Sequence, residues 1–190
     1  MKCGIAAGED VTEGDALDAL AECKHMSDHT DIGSKVSIPE AATYNEDGDG
    51  TTVALVDCGA KGSIIESLVE RDAVVHLLPH DATEDEVASY DPDLLFISNG
   101  PGDPENFERA NELVDSYVEE LPIAGICLGQ QVVANALGGE TEKMEFGHRG
   151  VNQPVRDLRT NKVVMTTQNH GYTVADPGET LEVTQVNVND

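Results

Sequence analysis

The chain predicts an α/β fold, a mostly parallel open sheet with helices on both faces, and three observations carry that expectation. From residue 52 onward, short β-branched apolar runs alternate with stretches whose apolar residues fall at helical spacing. The connections between successive runs are long enough to hold a helix, which parallel neighbours require and hairpins do not. Glycine-rich loops follow two of the runs, and open sheets of this kind place their sites at the carboxyl ends of the strands.

Residues 52–56 form the first strand, and Asp57-Cys58-Gly59 turns it into a helix around Ile64, Ile65, Leu68 and Val69. Residues 73–78 are the next strand, 84–89 a short helix, and 94–98 a third strand ending at Asn99-Gly100-Pro101-Gly102-Asp103-Pro104. Residues 107–118 are helical, with Ala110, Leu113, Val114 and Tyr117 on one face. A short apolar run behind Pro122 then leads into a helix carrying Val132, Val133, Ala136 and Leu137. After Gly139 the pattern becomes β-rich, with 152–155 and 163–167 as strands and Gln168-Asn169-His170-Gly171-Tyr172 closing the second.

Residues 1–50 read as a connecting segment with one short helix, built on Asp15, Ala16, Leu17, Leu20 and Ala21, ahead of a main domain at 51–190. The segment holds too few large apolar residues for a core of its own. Cys23-x-His25 with His29 lacks the second cysteine pair of a zinc site. Asn45-Glu46-Asp47-Gly48-Asp49-Gly50 opens like a calcium loop, but its twelfth position is Val56, where a bidentate Glu is needed. No metal is expected.

The chain of 190 residues has 11 Lys and Arg against 37 Asp and Glu, a formal charge of -26, which disfavours nucleic acid and anionic membranes as partners. Its 39% hydrophobic residues in periodic blocks argue against a disordered acidic chain. An acidic, lysine-poor surface on an ordinary core fits a high-salt cytoplasm, where molar salt screens self-repulsion within about 3 Å. The four scattered cysteines form no disulfide framework, and no signal core or membrane-length apolar run is present. A cytosolic protein is expected.

The richest stretch is Gly125-Ile126-Cys127-Leu128-Gly129. Small residues two positions either side of a nucleophile suit a sharp strand-to-helix elbow, because larger side chains would collide as the chain turns. Cys127 then stands at a helix N-terminus, where free N–H groups and the helix dipole favour the reactive thiolate. On these residues alone, a buried structural cysteine beside a glycine bend stays an alternative.

Residues 125–131, preceded by the Asn99-Gly100-Pro101-Gly102-Asp103-Pro104 loop, resemble the glutamine amidotransferase class I family, whose cysteine attacks the side-chain amide of glutamine. Phe146-Gly147-His148-Arg149-Gly150-Val151-Asn152-Gln153-Pro154, followed by Gln168-Asn169-His170-Gly171-Tyr172, resembles the family's branch that serves as small, glutaminase subunit of carbamoyl phosphate synthetase. The resemblance implies a flavodoxin-like sheet and a glutamyl thioester on Cys127. It implies an oxyanion hole from the backbones of Leu128 and Gly102, and Gly100, Gly102, Leu128, Gln131, Asn169, Gly171 and Tyr172 as the residues that hold L-glutamine. It implies that the family's first domain lies upstream of Met1, and the triad's His and Glu beyond Asp190. His170 is therefore assigned to structure, and His148 and Arg149 to shaping a loop or a subunit contact.

The implied partner is the large synthetase subunit, which combines ammonia with bicarbonate. ATP and Mg are expected on that subunit, and no cofactor in this chain, which has no phosphate-cradling P-loop. Gln130 departs from the family, which usually has His there. Two readings compete: an amidotransferase for another synthetase, of anthranilate or GMP type, and a non-catalytic glutamine-binding module.

Overall fold

The computed structural model describes residues 5–8, 10–24 and 28–189, so Cys3 and His25 lie outside the described residues. The expected strands and helices form where the apolar periodicity places them. They are β2 (Thr52–Asp57), α3 (Gly62–Val69), β3 (Val74–Pro79), α4 (Glu84–Ala88), β4 (Leu94–Ile97), α5 (Glu108–Tyr117), β5 (Ile123–Gly125) and α6 (Leu128–Ala136). With β1 (Ala42–Tyr44) at its edge the sheet runs β1-β3-β2-β4-β5, and all its pairings are parallel except that of β1, which joins β3 antiparallel.

Strand alternation sends Ala54, Val56, Leu95 and Ile97 to one face, where α4, α5 and α6 cover them with Val87, Ala110, Leu113, Val114, Leu128 and Val132. Val53, Leu55, Val75, Leu77 and Phe96 point to the other face, under Ile64, Ile65, Leu68 and Val69 of α3. Helices on both faces are thus borne out, and α5 buries the four residues its periodicity selects. Val56 pairs with Ile97, and Ile97 with Gly125, so three strands end in one row and bring the loops beyond them to a common edge.

The segment at 1–50 is more than a connection with one helix. α1 (Glu13–Glu22) starts at a capping box in which Asp15 N–H donates to Thr12 Oγ1 at 3.3 Å and Thr12 N–H to Asp15 Oδ2 at 2.8 Å, and it buries none of its residues. A second helix, α2 (Ile32–Val36), buries Ile32, and β1 extends the main sheet. The sheet therefore reaches back to Ala42. What holds this stretch is tertiary: Ile38 N–H donates to Asp57 Oδ2 at 2.8 Å, and Asn45, at φ 56°, donates through Nδ2 to Ala73 O at 3.2 Å.

The β-rich end also departs from expectation. β6 (Glu140–Asp157) and β7 (Val163–Asp176) form a long antiparallel pair, with β8 (Gln185–Asn187) beside β6. Residues 152–155 and 163–167 are only parts of these strands, and residues 168–172 lie inside β7 rather than closing it. Register shifts at three places in β6 break the alternation by which the strands would be read. No helix among the described residues is long and apolar enough to cross a membrane.

Candidate active site

Cys127 occupies the N-cap of α6 with φ 54° and ψ -106°, a conformation that costs a non-glycine residue of order 1–3 kcal/mol and persists only where its surroundings impose it. The surroundings are the two flanking glycines. A Cβ on Gly125 would sit 2.5 Å from the Gly129 carbonyl carbon and 2.6 Å from Gln130 N, and one on Gly129 would run into the Ile97 carbonyl oxygen. The turn closes with Ile126 N–H on Ile97 O at 3.2 Å and Gly129 N–H on Ile126 O at 3.0 Å. The sharp elbow read from Gly-x-Cys-x-Gly is present, and the cysteine is the residue that bends.

α6 begins with no side-chain cap and no acidic residue in its first turn, so its positive end is not neutralised locally. The Cys127 thiol is partly exposed, and its Sγ lies 4.0 Å from the carbonyl oxygen of Asn169. Among the described residues, no histidine nitrogen or carboxylate is hydrogen-bonded to it. Leu128, the next residue, is buried, and Gln130 is exposed.

The loop after β4 packs against this elbow. A Cβ on Gly100 would strike the Cys58 carbonyl oxygen and come within 2.8 Å of Leu128 Cδ2. Gly102 has φ 93°, and a Cβ there would lie 2.7 Å from Ile32 Cγ2. Ile32 therefore backs the glycine loop, a role that sequence reasoning missed because one apolar residue in a polar stretch has no period. Asn99 anchors the loop to the β2 junction, accepting from Lys61 N–H and donating to Gly59 O, both at 3.0 Å.

The third wall comes from β7. Gln131 is 6% exposed and donates through Nε2 to the Tyr172 carbonyl at 2.6 Å, so α6 holds β7 by a buried side chain. The same carbonyl lies 2.7 Å from His170 Nδ1. Burial, followed by the Asp103 carboxylate that its hydroxyl bonds, pushes the Tyr172 phenol up to about 12, which ties β7 to the glycine loop as a neutral donor. His170 spends both ring nitrogens within the hairpin: Nε2 lies 3.0 Å from Gln168 Oε1 and 3.2 Å from His148 Nδ1. Arg149 donates to His170 O at 2.9 Å, and one of its other guanidinium nitrogens would lie 3.2 Å from a Cβ on Gly171.

The structure thus brings Cys127, Leu128, Gly100, Gly102, Gln131, Asn169 and Tyr172 to one corner, with Gly171 between the last two. A cavity of about 630 Å³ lies elsewhere, between α5, α6 and the start of β6. Its lining includes Glu105, Glu108, Glu112 and Glu140 and none of the elbow residues, and its carboxylates would repel an amino-acid carboxylate. We place the site at the cysteine. A nucleophile at a helix start and a glycine loop alongside, whose backbone can come close to a developing oxyanion, are parts that acyl transfer from an amide uses.

Comparison with known proteins agrees with this geometry. A protein from Halobacterium salinarum named carbamoyl phosphate synthase small chain is 65% identical over 190 residues, which is all of this chain and 53% of the relative. Proteins of the same name from Clostridium perfringens and Methanocaldococcus jannaschii are 43% and 40% identical, covering 98% and 100% of this chain and 53% and 55% of theirs. The chain spans about half the length of the curated relatives it matches.

Among solved structures, a putative GMP synthase protein from Thermoplasma acidophilum aligns with TM-score 0.60 at 20% identity over 73% of each chain. A glutamine amidotransferase from Thermotoga maritima aligns with TM-score 0.54 at 18% identity, over 67% of this chain and 64% of its own. At such identities these likenesses bear on the fold alone. The family model for glutamine amidotransferase class-I matches residues 54–190, from β2 through the elbow to the end of the hairpin sheet, and the chain belongs to that family.

Proposed function

We propose that this chain carries the glutaminase centre of a carbamoyl phosphate synthase small chain. Cys127 Sγ attacks the side-chain amide carbon of L-glutamine, the C–N bond breaks as the thiol's proton passes to the amide nitrogen, ammonia leaves, and water then hydrolyses the thioester to glutamate and the free thiol. The backbone N–H groups of Leu128 and Gly102 receive the oxyanion. Gly100, Gln131, Asn169, Gly171 and Tyr172 hold the amino-acid end. His170 stays with the scaffold, because both of its ring nitrogens are engaged within the hairpin sheet. The ammonia passes to a large synthetase subunit, which supplies bicarbonate activation with ATP and Mg.

The observation that carries this reading is the backbone of Cys127, held at φ 54° on an uncapped helix start beside the Gly100 and Gly102 loop. The 65% identity to the Halobacterium protein supports the choice of synthetase over an anthranilate or GMP partner. The test is Cys127→Ala in the full-length small chain assembled with its large subunit. Glutamine-dependent synthesis should fall by at least about 10⁴-fold, as it does when a covalent nucleophile is removed, while synthesis from free ammonia stays within about twofold. Glutamine hydrolysis that survives the substitution would remove Cys127 from the mechanism.

A further inference from the structure

We propose that His148 is a positioning residue for the glutamine-holding stretch of β7, acting through His170; the inference rests on the glutaminase reading above. The Tyr172 carbonyl faces Gln131 Nε2 at 2.6 Å and His170 Nδ1 at 2.7 Å. A carbonyl only accepts, so His170 Nδ1 carries a proton and the carbonyl is pinned from both sides. Residues 169–172 are the part of β7 that passes Cys127, with Asn169 O 4.0 Å from Sγ. Fixing one carbonyl of that short stretch fixes the backbone that would meet the substrate.

What aims the His170 ring is its other nitrogen. Nε2 lies 3.2 Å from His148 Nδ1, and the two rings stand edge to face at 89° with centroids 4.8 Å apart. The Asn187 amide on β8 packs against the same edge of the His148 ring, its nitrogen 3.3 Å from Nδ1 and 3.3 Å from Gln153 Oε1. The Gln168 side-chain amide also lies 3.0 Å from His170 Nε2 and 3.0 Å from Thr166 Oγ1, an arrangement in which its N–H donates to Nε2 and the Thr166 hydroxyl to its oxygen. β6, β7 and β8 thus meet at this pair of imidazoles. With Nδ1 carrying the proton, His170 Nε2 accepts and His148 Nδ1–H donates to it, so hydrogen bonds run from His148 through His170 to the Tyr172 carbonyl, which also accepts from Gln131 on the cysteine's own helix. His148 pairs opposite His170 in the ladder, next to two of the register shifts in β6. Those shifts aim side chains out of simple alternation, which is a recurring use of bulges near sites.

The device predicts a binding effect with little effect on chemistry. In the full-length small chain with its large subunit, His148→Phe keeps a flat ring and removes both nitrogens. It should raise the KM for glutamine about tenfold, the worth of one hydrogen bond in a shared network, with kcat within about twofold. His148→Asn, whose amide can reach the Nδ1 position, should stay within about threefold of wild type in KM. His148→Gln extends its amide one bond further and should behave like Phe. If Phe prevents folding, the Asn and Gln variants carry the same contrast. Equal KM in all variants, or a fall in kcat at unchanged KM, overturns the proposal. So does an Asn variant that folds, with unchanged ammonia-dependent synthesis, and binds glutamine as poorly as Phe. Wild-type complex that hydrolyses no glutamine would instead fail the functional reading, and the two failures are separate measurements.

Discussion

Two cysteines stand two residues beyond the same row of the sheet, Cys58 after Val56 on β2 and Cys127 after Gly125 on β5, and each has a glycine close behind and a helix ahead. Their thiols are opposites. At the β2–α3 junction the glycine does the bending: Gly59 has φ 115°, and Cys58 stays wholly buried. The loop N–H groups are already occupied, since Asp57 Oδ1 accepts from Gly59 and Ala60 at 2.9 and 2.7 Å. Burial, then the Asp57 charge, push the Cys58 thiol up to about 12, against a lowering hydrogen bond to Ser98. At the β5–α6 junction the cysteine itself takes the positive φ, the first turn of α6 has no acidic residue, and Cys127 is partly exposed. The ingredients of strand, cysteine, glycine and helix are shared. Which residue absorbs the turn decides whether the thiol faces the core or the surface.

The largest effect expected from this contrast is in alkylation. Raising a thiol from 9.0 to about 12 leaves less thiolate at any neutral pH, by about a thousandfold at pH 8, and the thiolate is the nucleophile. Iodoacetamide mapped by peptide mass should therefore leave Cys58 almost unmodified in the folded chain while the partly exposed Cys127 reacts, and should modify the two alike in urea. Equal rates without denaturant would break the comparison. Next in size is Gly129→Ala, which drives a methyl into the Ile97 carbonyl. It should cost about 3 kcal/mol in denaturant unfolding and slow Cys127 labelling, because backbone at a packed junction has nowhere to shift.

The two junctions also differ in how far they were legible. The glycines around Cys127 point to an elbow because their spacing suits a sharp strand-to-helix turn, and the apolar periods of α3, α5 and α6 each predict a face that packs on the sheet, fully buried in α5 and largely half-buried in α3 and α6. β1 was not legible: a three-residue strand, Ala42-Thr43-Tyr44, has no period to detect, and its pairing with β3 is set by the sheet that it joins. Ile32 behind Gly102, the Gln131 bond to Tyr172 and the His148–His170 pair were invisible for a related reason. Each depends on a packing or a strand register between residues far apart in the chain. Charged residues such as Glu142 and Lys143, together with the register shifts, hid the true length of β6 and β7.

A smaller effect tests what quiets the β2 junction. Asp57 is 3% exposed, and its carboxylate accepts from three backbone N–H groups, those of Gly59, Ala60 and Ile38. Asp57→Ala should cost about 2 kcal/mol in chemical denaturation, less than three full hydrogen-bond losses because the loop can open to water. Asp57→Asn removes the charge beside Cys58 and keeps an acceptor. Cys58 should remain silent to alkylation there, since burial is the larger of the two causes that raise its thiol. Rapid labelling of Cys58 in that variant would show that charge, not burial, protects it.

The smallest effect is the most discriminating, because the two junctions should answer the same substitution with opposite signs. Cys127→Gly removes a side chain from a residue at φ 54°, ψ -106°, and so relieves strain of order 1–3 kcal/mol. Against this stands the extra freedom that a glycine gives the unfolded chain, about 0.5–1 kcal/mol. The net should be a gain of about 1 kcal/mol. Cys58→Gly meets the same entropic cost with no strain to relieve, and it leaves a void between β2 and the glycine loop, where Cys58 is fully buried. It should lose at least about 1 kcal/mol. Measured side by side by thermal and urea unfolding, the pair asks whether Cys127 is held in place at the expense of stability, as a residue kept for chemistry would be. If both substitutions destabilise equally, the backbone of Cys127 carries no strain and the elbow is an ordinary turn.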